Sequence, residues 1–257
     1  VTAAFLNVTE IEGQSISNEQ LSRMLHRYHW ASSICANKDV LEVACGAGQG
    51  LEIIRRSANS LVAGDYSPEV LAVAQKVANS RVVLSVFGAE QIPFSSSSFD
   101  CIILFEALYY IPRHEVFFSE ALRLLRPGGS LLISTANKDL YDFNPSPFAT
   151  RYLGAADLST ALLKAGYSPK LWGYLDVNHV SFRQRFLRPI KALAARFGLM
   201  PRTMHGKEWL KKIFFGQMVK MPPTLADLPF AFAPPVSISS QVPDRRHKVI
   251  YCEAKKI

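Results

Sequence analysis

From residue 38 to residue 136 short apolar runs alternate with helical patterns, and no other feature of the chain constrains its fold as strongly. Residues 39–44, 60–65, 81–86, 99–105 and 130–135 have the length and composition of buried strands. Residues 49–57, 68–78 and 113–125 carry apolar positions at helical spacing. Strands joined through helices run parallel with right-handed crossovers, so helices must cover both faces of the sheet. Ser67 ahead of Pro68 marks a helix start: the hydroxyl can accept from an unpaired N–H, and proline there lacks an N–H that would have had no partner. Further along, a helix is expected over 155–165, ended by Gly166, then a strand at 170–175 and an alternating terminal strand in "HKVIYCEAKKI". Upstream, "SNEQLSRMLHRYHWASSI" sets Ser17 and Gln20 as a capping box before Leu21, Leu25 and Tyr28 on one helical face.

The stretch "VLEVACGAGQG", residues 40–50, is an apolar strand that breaks into glycines at alternate positions, Gly46, Gly48 and Gly50. A glycine turn between strand and helix brings backbone close to a ligand at the carboxyl edge of an open α/β sheet. The dinucleotide pattern G-x-G-x-x-G is not met, because Leu51 stands where its third glycine belongs. Glu42, four residues before Gly46, disfavours a pyrophosphate at the following helix N-terminus and favours a cation. S-adenosylmethionine, with a sulfonium and an ammonium and no phosphate, suits that charge. Asp65 ends the second strand, where it can accept from both ribose hydroxyls.

With these features on the page, the chain resembles the class I S-adenosylmethionine-dependent methyltransferases. "VLEVACGAGQG" is similar to their first motif, "VAGDYSPEVLAVA" to their second, and "AEQIPFSSSSFDCIILFEALYYI" to their third and fourth. "ALRLLRPGGSLLIST" is similar to the element before their fifth strand, and "KVIYCEAK" to their antiparallel last strand. The resemblance implies an α/β, Rossmann-like, three-layer α/β/α fold with a seven-stranded, mostly parallel sheet. It implies an N-terminal helical cap over residues 1–37 and a methyltransferase domain over 38–257 with a basic helical insertion at about 177–245. The implied cofactor is S-adenosyl-L-methionine. Glu42, Gly46, Ala47 and Gly48 would border its methionine part, Asp65 its ribose, Tyr66 its adenine face, and Ala89 and Glu90 the adenine edge. Phe105 would close the pocket, and Tyr28 would reach the cofactor from the cap. In one departure, Gly88 stands where many relatives carry an acidic or amide contact to the adenine amine, a role Glu90 would take instead.

Methyl transfer needs acceptor and sulfonium in line, and a base only where the acceptor must lose a proton. Candidate catalytic residues are His29, on the face of Tyr28, and Glu106 and Tyr109, which follow the fourth expected strand at the edge where an acceptor should sit. Tyr110, and Tyr141, Asn144 and Phe148 from "YDFNPSPFATRY", are candidates for the acceptor pocket. Packing roles for Tyr28, His29, Tyr109 and Tyr110 stay open. No pair of histidines has metal-ligand spacing, so no metal is expected.

The net charge of +8 has one source: residues 177–221 hold ten basic side chains and one acidic one, which leaves the rest of the chain near neutral. Phe182, Phe186, Ile190, Leu193 and Phe197 on one side of a helix, with arginines and a lysine around the other, admit three readings. These are docking on the chain's own domain, contact with an anionic membrane or lipid-linked acceptor, and RNA binding, with a homodimer interface sharing the remainder. Nucleic acid is disfavoured as a partner, since no RNA-binding module is visible. The four cysteines lack paired spacing, and no signal peptide or apolar run near a membrane span appears, so the chain reads as cytoplasmic. The function implied is methyl transfer to oxygen or nitrogen of a small molecule, a sugar or lipid-linked acceptor first. The alternatives are an RNA methyltransferase and a non-catalytic S-adenosylmethionine-binding scaffold.

Overall fold

The computed structural model describes residues 9–78, 80–146, 148–179 and 218–257. Along the chain come β1 (Ser15–Ser17), α1 (Asn18–Ile34), β2 (Asp39–Val43), α2 (Leu51–Ser57), β3 (Ser60–Asp65), α3 (Pro68–Val77), β4 (Val82–Val86) and β5 (Phe99–Phe105). Then follow α4 (His114–Leu124), β6 (Leu125–Ala136), α5 (Ala155–Lys164), β7 (Tyr167–Asp176), β8 (Met218–Lys220), β9 (Val236–Ser237) and β10 (His247–Lys256). Local chemistry starts the helices where expected. Ser17 Oγ accepts from the Gln20 N–H at 3.1 Å, and Ser67 Oγ from the Val70 N–H at 3.3 Å with Pro68 opening α3.

The main sheet has the order β4-β3-β2-β5-β6-β10-β7-β9. Its first five strands are parallel, and β10 inserts antiparallel between β6 and β7. An eighth strand goes beyond the seven expected: β9, two residues pairing antiparallel with Trp172 and Gly173 at the edge, is too short to leave a periodic signal. The "RPGG" stretch, ahead of the strand expected at 130–135, lies within β6 (Leu125–Ala136), where Gly128 at φ 74° accompanies a register shift against β5 between Phe99 and Cys101.

Side chains along β5 alternate between two cores, as the period of a strand requires. Ile102 and Leu104 pack with Phe117, Phe118 and Leu124 of α4 and Leu158 and Leu162 of α5. Cys101, Ile103 and Phe105 pack with α1, Ile53 and Ile54 of α2, and Leu71 and Ala74 of α3. The result is a three-layer α/β/α sandwich in which α1 is part of one outer layer. Aromatic contacts pin α1 over β10 and β7: Trp30 stacks on Tyr251 at 4.9 Å, and His26 on Tyr174 at 3.6 Å. His26 also bonds the Tyr251 hydroxyl at 3.0 Å and the Ala233 carbonyl at 2.8 Å.

A second, small sheet pairs β1 with β8. It ties the segment before α1 to the chain that returns at Met218. From there Leu225 N–H donates to the Gln49 carbonyl at 2.9 Å, and Gln49 Nε2 to the Glu10 carbonyl at 2.8 Å, so both segments lie against the glycine loop. The basic amphipathic helix read from residues 182–197, and most of the 177–221 run, lie outside the described residues. Among the described residues no helix is long and apolar enough to cross a membrane.

Candidate functional site

The chain leaves β2 toward β3 on one side and β5 flanks β2 on the other, so the carboxyl ends of these neighbours form the crevice of the sheet. Both strands run into a left-handed residue without being glycine, Ala44 at φ 57° and Glu106 at φ 50°. Each such residue costs on the order of 1–3 kcal/mol and persists only where its surroundings hold it.

Between them lies the glycine loop. Gly46 N–H donates to Asp65 Oδ2 at 3.0 Å, and Ser67 N–H to Oδ1 at 3.0 Å, so one carboxylate at the end of β3 anchors two loops. The Tyr66 backbone amide also favours the charge of this carboxylate, whose roughly four acceptor sites leave room for a ligand hydroxyl beside the amides. Burial pushes the Asp65 pKa up, against the backbone amides that favour its charge. Gly48 sits at φ 80°, where a Cβ would also meet the Ala74 methyl at 3.0 Å, so glycine is required on two counts.

Beneath the loop, Tyr28 OH donates to Glu42 Oε1 at 2.6 Å, while Glu42 Oε2 is buried with no partner. Burial pushes the Glu42 carboxyl up to about 7, against the Tyr28 hydrogen bond and the charge of Arg27. Arg27 Nε is likewise buried without a partner, its guanidinium 5.7 Å from the Tyr28 ring centre. Buried polar groups are nearly always paired, so an unpaired carboxyl oxygen and an unpaired guanidinium nitrogen on these neighbouring side chains call for an outside partner. The crevice depends on Gly50, where a Cβ would come within 2.1 Å of the Tyr28 ring. Gly50→Ala is expected to displace Tyr28 from Glu42 and cost about 1–3 kcal/mol. Urea denaturation checks it, and an unchanged midpoint contradicts it.

Beside this crevice opens a cavity of about 340 Å³, lined by Arg23 and Arg27 of α1, Glu10, Gln20, Glu106, Tyr109, Tyr110 and Met218 among others. Ser134 Oγ donates to Glu106 Oε1 and Tyr109 OH to Oε2, each at 3.2 Å, and Arg23 Nη2 lies 3.6 Å from Oε1. Burial, followed by the charge of Glu106, pushes the Tyr109 pKa well up. In this structure Tyr109 is a hydrogen-bond donor to Glu106, and its burial opposes loss of that proton.

Other expected site residues are dispersed. His29 does not line the cavity: one position round α1 from Tyr28, about 100° on a helix, its ring stacks on Phe230 at 5.3 Å. Phe105 is buried against Tyr28 at 5.4 Å and supports that ring from below. The Glu90 carboxylate turns to Arg113, whose N–H and Nε donate to it at 3.0 and 2.9 Å, which lowers its pKa. Ala89 packs partly buried on the core, and the exposed Tyr66 ring lies beside Gly88. Tyr110 lines the cavity, but Tyr141, Asn144 and Phe148 are exposed and do not. Their loop is held by the Thr150 N–H, which donates to the Tyr109 carbonyl at 2.8 Å, and it presents Tyr152 to Tyr109 at 4.4 Å instead. Burial and the neighbouring Glu42 and Asp65 push the Cys45 thiol pKa well up, which keeps it protonated beside the loop.

Arg23 and Arg27 went unread in the sequence. Gln20, Arg23 and Arg27 fall at i, i+3 and i+7, a polar stripe next to the apolar face of α1, and that was the available signal.

Residues 41–133 match a family model described as a methyltransferase domain. A protein of Mycolicibacterium smegmatis described as a probable S-adenosylmethionine-dependent methyltransferase is 33% identical over 149 residues, 56% of this chain and 55% of that one. The phthiotriol/phenolphthiotriol dimycocerosates methyltransferase of Mycobacterium leprae is 36% identical over 99 residues, 37% of each chain. The chain thus spans about half or less of the length of the curated relatives it matches. A crystal structure of an S-adenosylmethionine-dependent methyltransferase from Mesorhizobium loti superposes with a TM-score of 0.53 at 14% identity, covering 89% of this chain and 98% of that one, a likeness of fold.

Proposed function

This chain belongs to the class I S-adenosylmethionine-dependent methyltransferase superfamily, and from that membership we propose that it transfers a methyl group from S-adenosylmethionine to oxygen or nitrogen of a small-molecule acceptor. One observation carries the reading: Glu42 Oε2 and Arg27 Nε, buried and unpartnered, offer what the ammonium and the carboxylate of an amino-acid tail require. Asp65 would hold the ribose hydroxyls while its amide contacts keep the loop in place, and Tyr66 beside Gly88 offers a ring face to the adenine. Tyr28 orients Glu42, and Phe105 supports Tyr28. When bound, S-adenosylmethionine supplies a methyl carbon already activated by a sulfonium. The protein's share is then alignment, exclusion of water and, where the acceptor carries a proton, its removal. The acidic groups of the adjoining cavity, Glu10, Glu19 and Glu106, suit a phosphodiester chain poorly and weigh against an RNA acceptor.

Calorimetric titration of the full chain with S-adenosylhomocysteine and with adenosine tests the reading. S-adenosylhomocysteine should bind, and adenosine, which lacks the tail, about 100-fold more weakly, given ~1.5–3 kcal/mol for each charge-assisted hydrogen bond. No heat at millimolar S-adenosylhomocysteine, or equal affinity for the two, removes it.

A further inference from the structure

We infer that the acceptor presents a hydroxyl on a hydroxyl-rich, sugar-like group, and that Glu106 takes the proton of that hydroxyl; the inference rests on the donor reading above. The cavity's acids are not equivalent. Glu19 is closed by Lys248 Nζ at 2.8 and 2.7 Å, and Glu10 takes the Gln20 amide at 2.6 Å. Glu106 is held by two hydroxyls, with Arg23 beyond hydrogen-bond distance, so its oxygens keep lone pairs to offer within the cavity. Its placement is over-determined: left-handed at the end of β5, its own N–H donates to the Ser134 carbonyl at 2.8 Å on the neighbouring β6. That puts a fixed carboxylate one strand from the glycine loop.

The lining selects the acceptor. An alkyl chain filling this cavity would strip water from Glu10, Gln20, Arg23 and Glu106 and return no hydrogen bond, at a cost of about 1–3 kcal/mol for each group. An ammonium would be held in its charged form by the cavity's carboxylates and must lose a proton before it can attack. A polyol offers donors to the carboxylates and acceptors to the arginines together. In the step, the Glu106 carboxylate takes the hydroxyl proton and an oxygen lone pair forms the new bond to the methyl carbon. The carbon–sulfur bond breaks with its electrons left on sulfur, giving a methyl ether, S-adenosylhomocysteine and a protonated Glu106 that returns its proton to water.

The test uses the full chain saturated with S-adenosylhomocysteine, titrated with methyl hexosides, myo-inositol, octyl glucoside, 1-octanol and octylamine, and the same compounds as substrates with S-adenosylmethionine. Binding and methylation of a hexoside or inositol, free or as the octyl glycoside, is the expected result. Methyl hexosides and the octyl glycoside distinguish a free sugar from a lipid-linked one. Methylation of the alkanol or the amine without any polyol, or no polyol binding at tens of millimolar, overturns the inference. Failure of S-adenosylhomocysteine itself to bind would instead remove the donor reading. Glu106→Gln should leave S-adenosylhomocysteine affinity within about twofold, lower kcat on the polyol about 100-fold and, with S-adenosylmethionine saturating at every pH so that Glu42 stays paired to the donor, abolish the acidic limb of kcat/KM for the polyol. Should that variant misfold, the wild-type profile still decides, because a rate that does not fall on acidification excludes a carboxylate base.

Discussion

Asp65→Ala is expected to weaken S-adenosylhomocysteine binding by at least about 100-fold and to lower stability at the same time. The first effect follows from losing the acceptor for two ribose hydroxyls, each charge-assisted bond being worth ~1.5–3 kcal/mol. The second follows because the same oxygens hold the Gly46 and Ser67 amides at 3.0 Å each, and these donors would be left without that partner. Asp65→Asn separates the parts: it keeps volume and one carbonyl oxygen but turns an amide donor toward one of the two backbone donors. It should fall between wild type and alanine in both measurements. Calorimetry for affinity and urea melts for stability check the pair. Donor affinity within threefold of wild type in the alanine variant would remove Asp65 from the site, whatever its stability.

Glu42→Gln should have opposite effects on the free and the bound protein. The folded-state pKa of Glu42, about 7, lies above its ordinary 4.5. The native state therefore keeps a proton that the unfolded chain has released between those values, and stability associated with the protonated form is complete below about 4.5 and lost as pH rises through about 7. The size is about 3 kcal/mol at 1.36 kcal/mol for each pH unit. In the glutamine variant that slope disappears, so wild type and variant diverge between pH 5 and pH 8 in favour of the variant. Donor binding moves the other way, because the amide cannot offer an anion to the ligand's ammonium, and should weaken about 10- to 100-fold. In the wild type, binding at pH 6 should release close to one proton, seen as a dependence of the calorimetric heat on the buffer's ionisation enthalpy. Equal pH slopes in the two proteins, or no proton release, would show that Glu42 is neither buried with a raised pKa nor paired to the ligand.

The alternating pattern of strands and helices, the starts of α1 and α3 and the glycine turn were legible because each depends on neighbours a few residues away. A hydroxyl finds an N–H three positions on, and a strand's period shows in five or six residues. The placement of Asp65 at the end of β3, and of Glu42 one residue before the end of β2, could be anticipated from the length of the apolar runs. His29 and Tyr28, adjacent in sequence, could not be told apart, because which one faces the crevice depends on how α1 is rotated on the sheet. Rotation is set by Trp30 on Tyr251 and His26 on Tyr174, partners more than a hundred residues away. The path of the loop that carries Tyr141, Asn144 and Phe148 was not legible for a similar reason, since it is set by hydrogen bonds to the Tyr109 carbonyl.

The sequence alone determined the class of fold and the location of the ligand edge, because propensity, capping and side-chain period are local and survive without knowledge of partners. Only the tertiary structure decided that Arg27 Nε and Glu42 Oε2 are left unpaired together, that Glu106 is gripped by Ser134 and Tyr109, and that the thiols of Cys35 and Cys101 meet in a hydrogen bond at 3.4 Å. Those meetings depend on strand order and on how a helix lies across the sheet, quantities to which every residue of the core contributes and no short stretch contains.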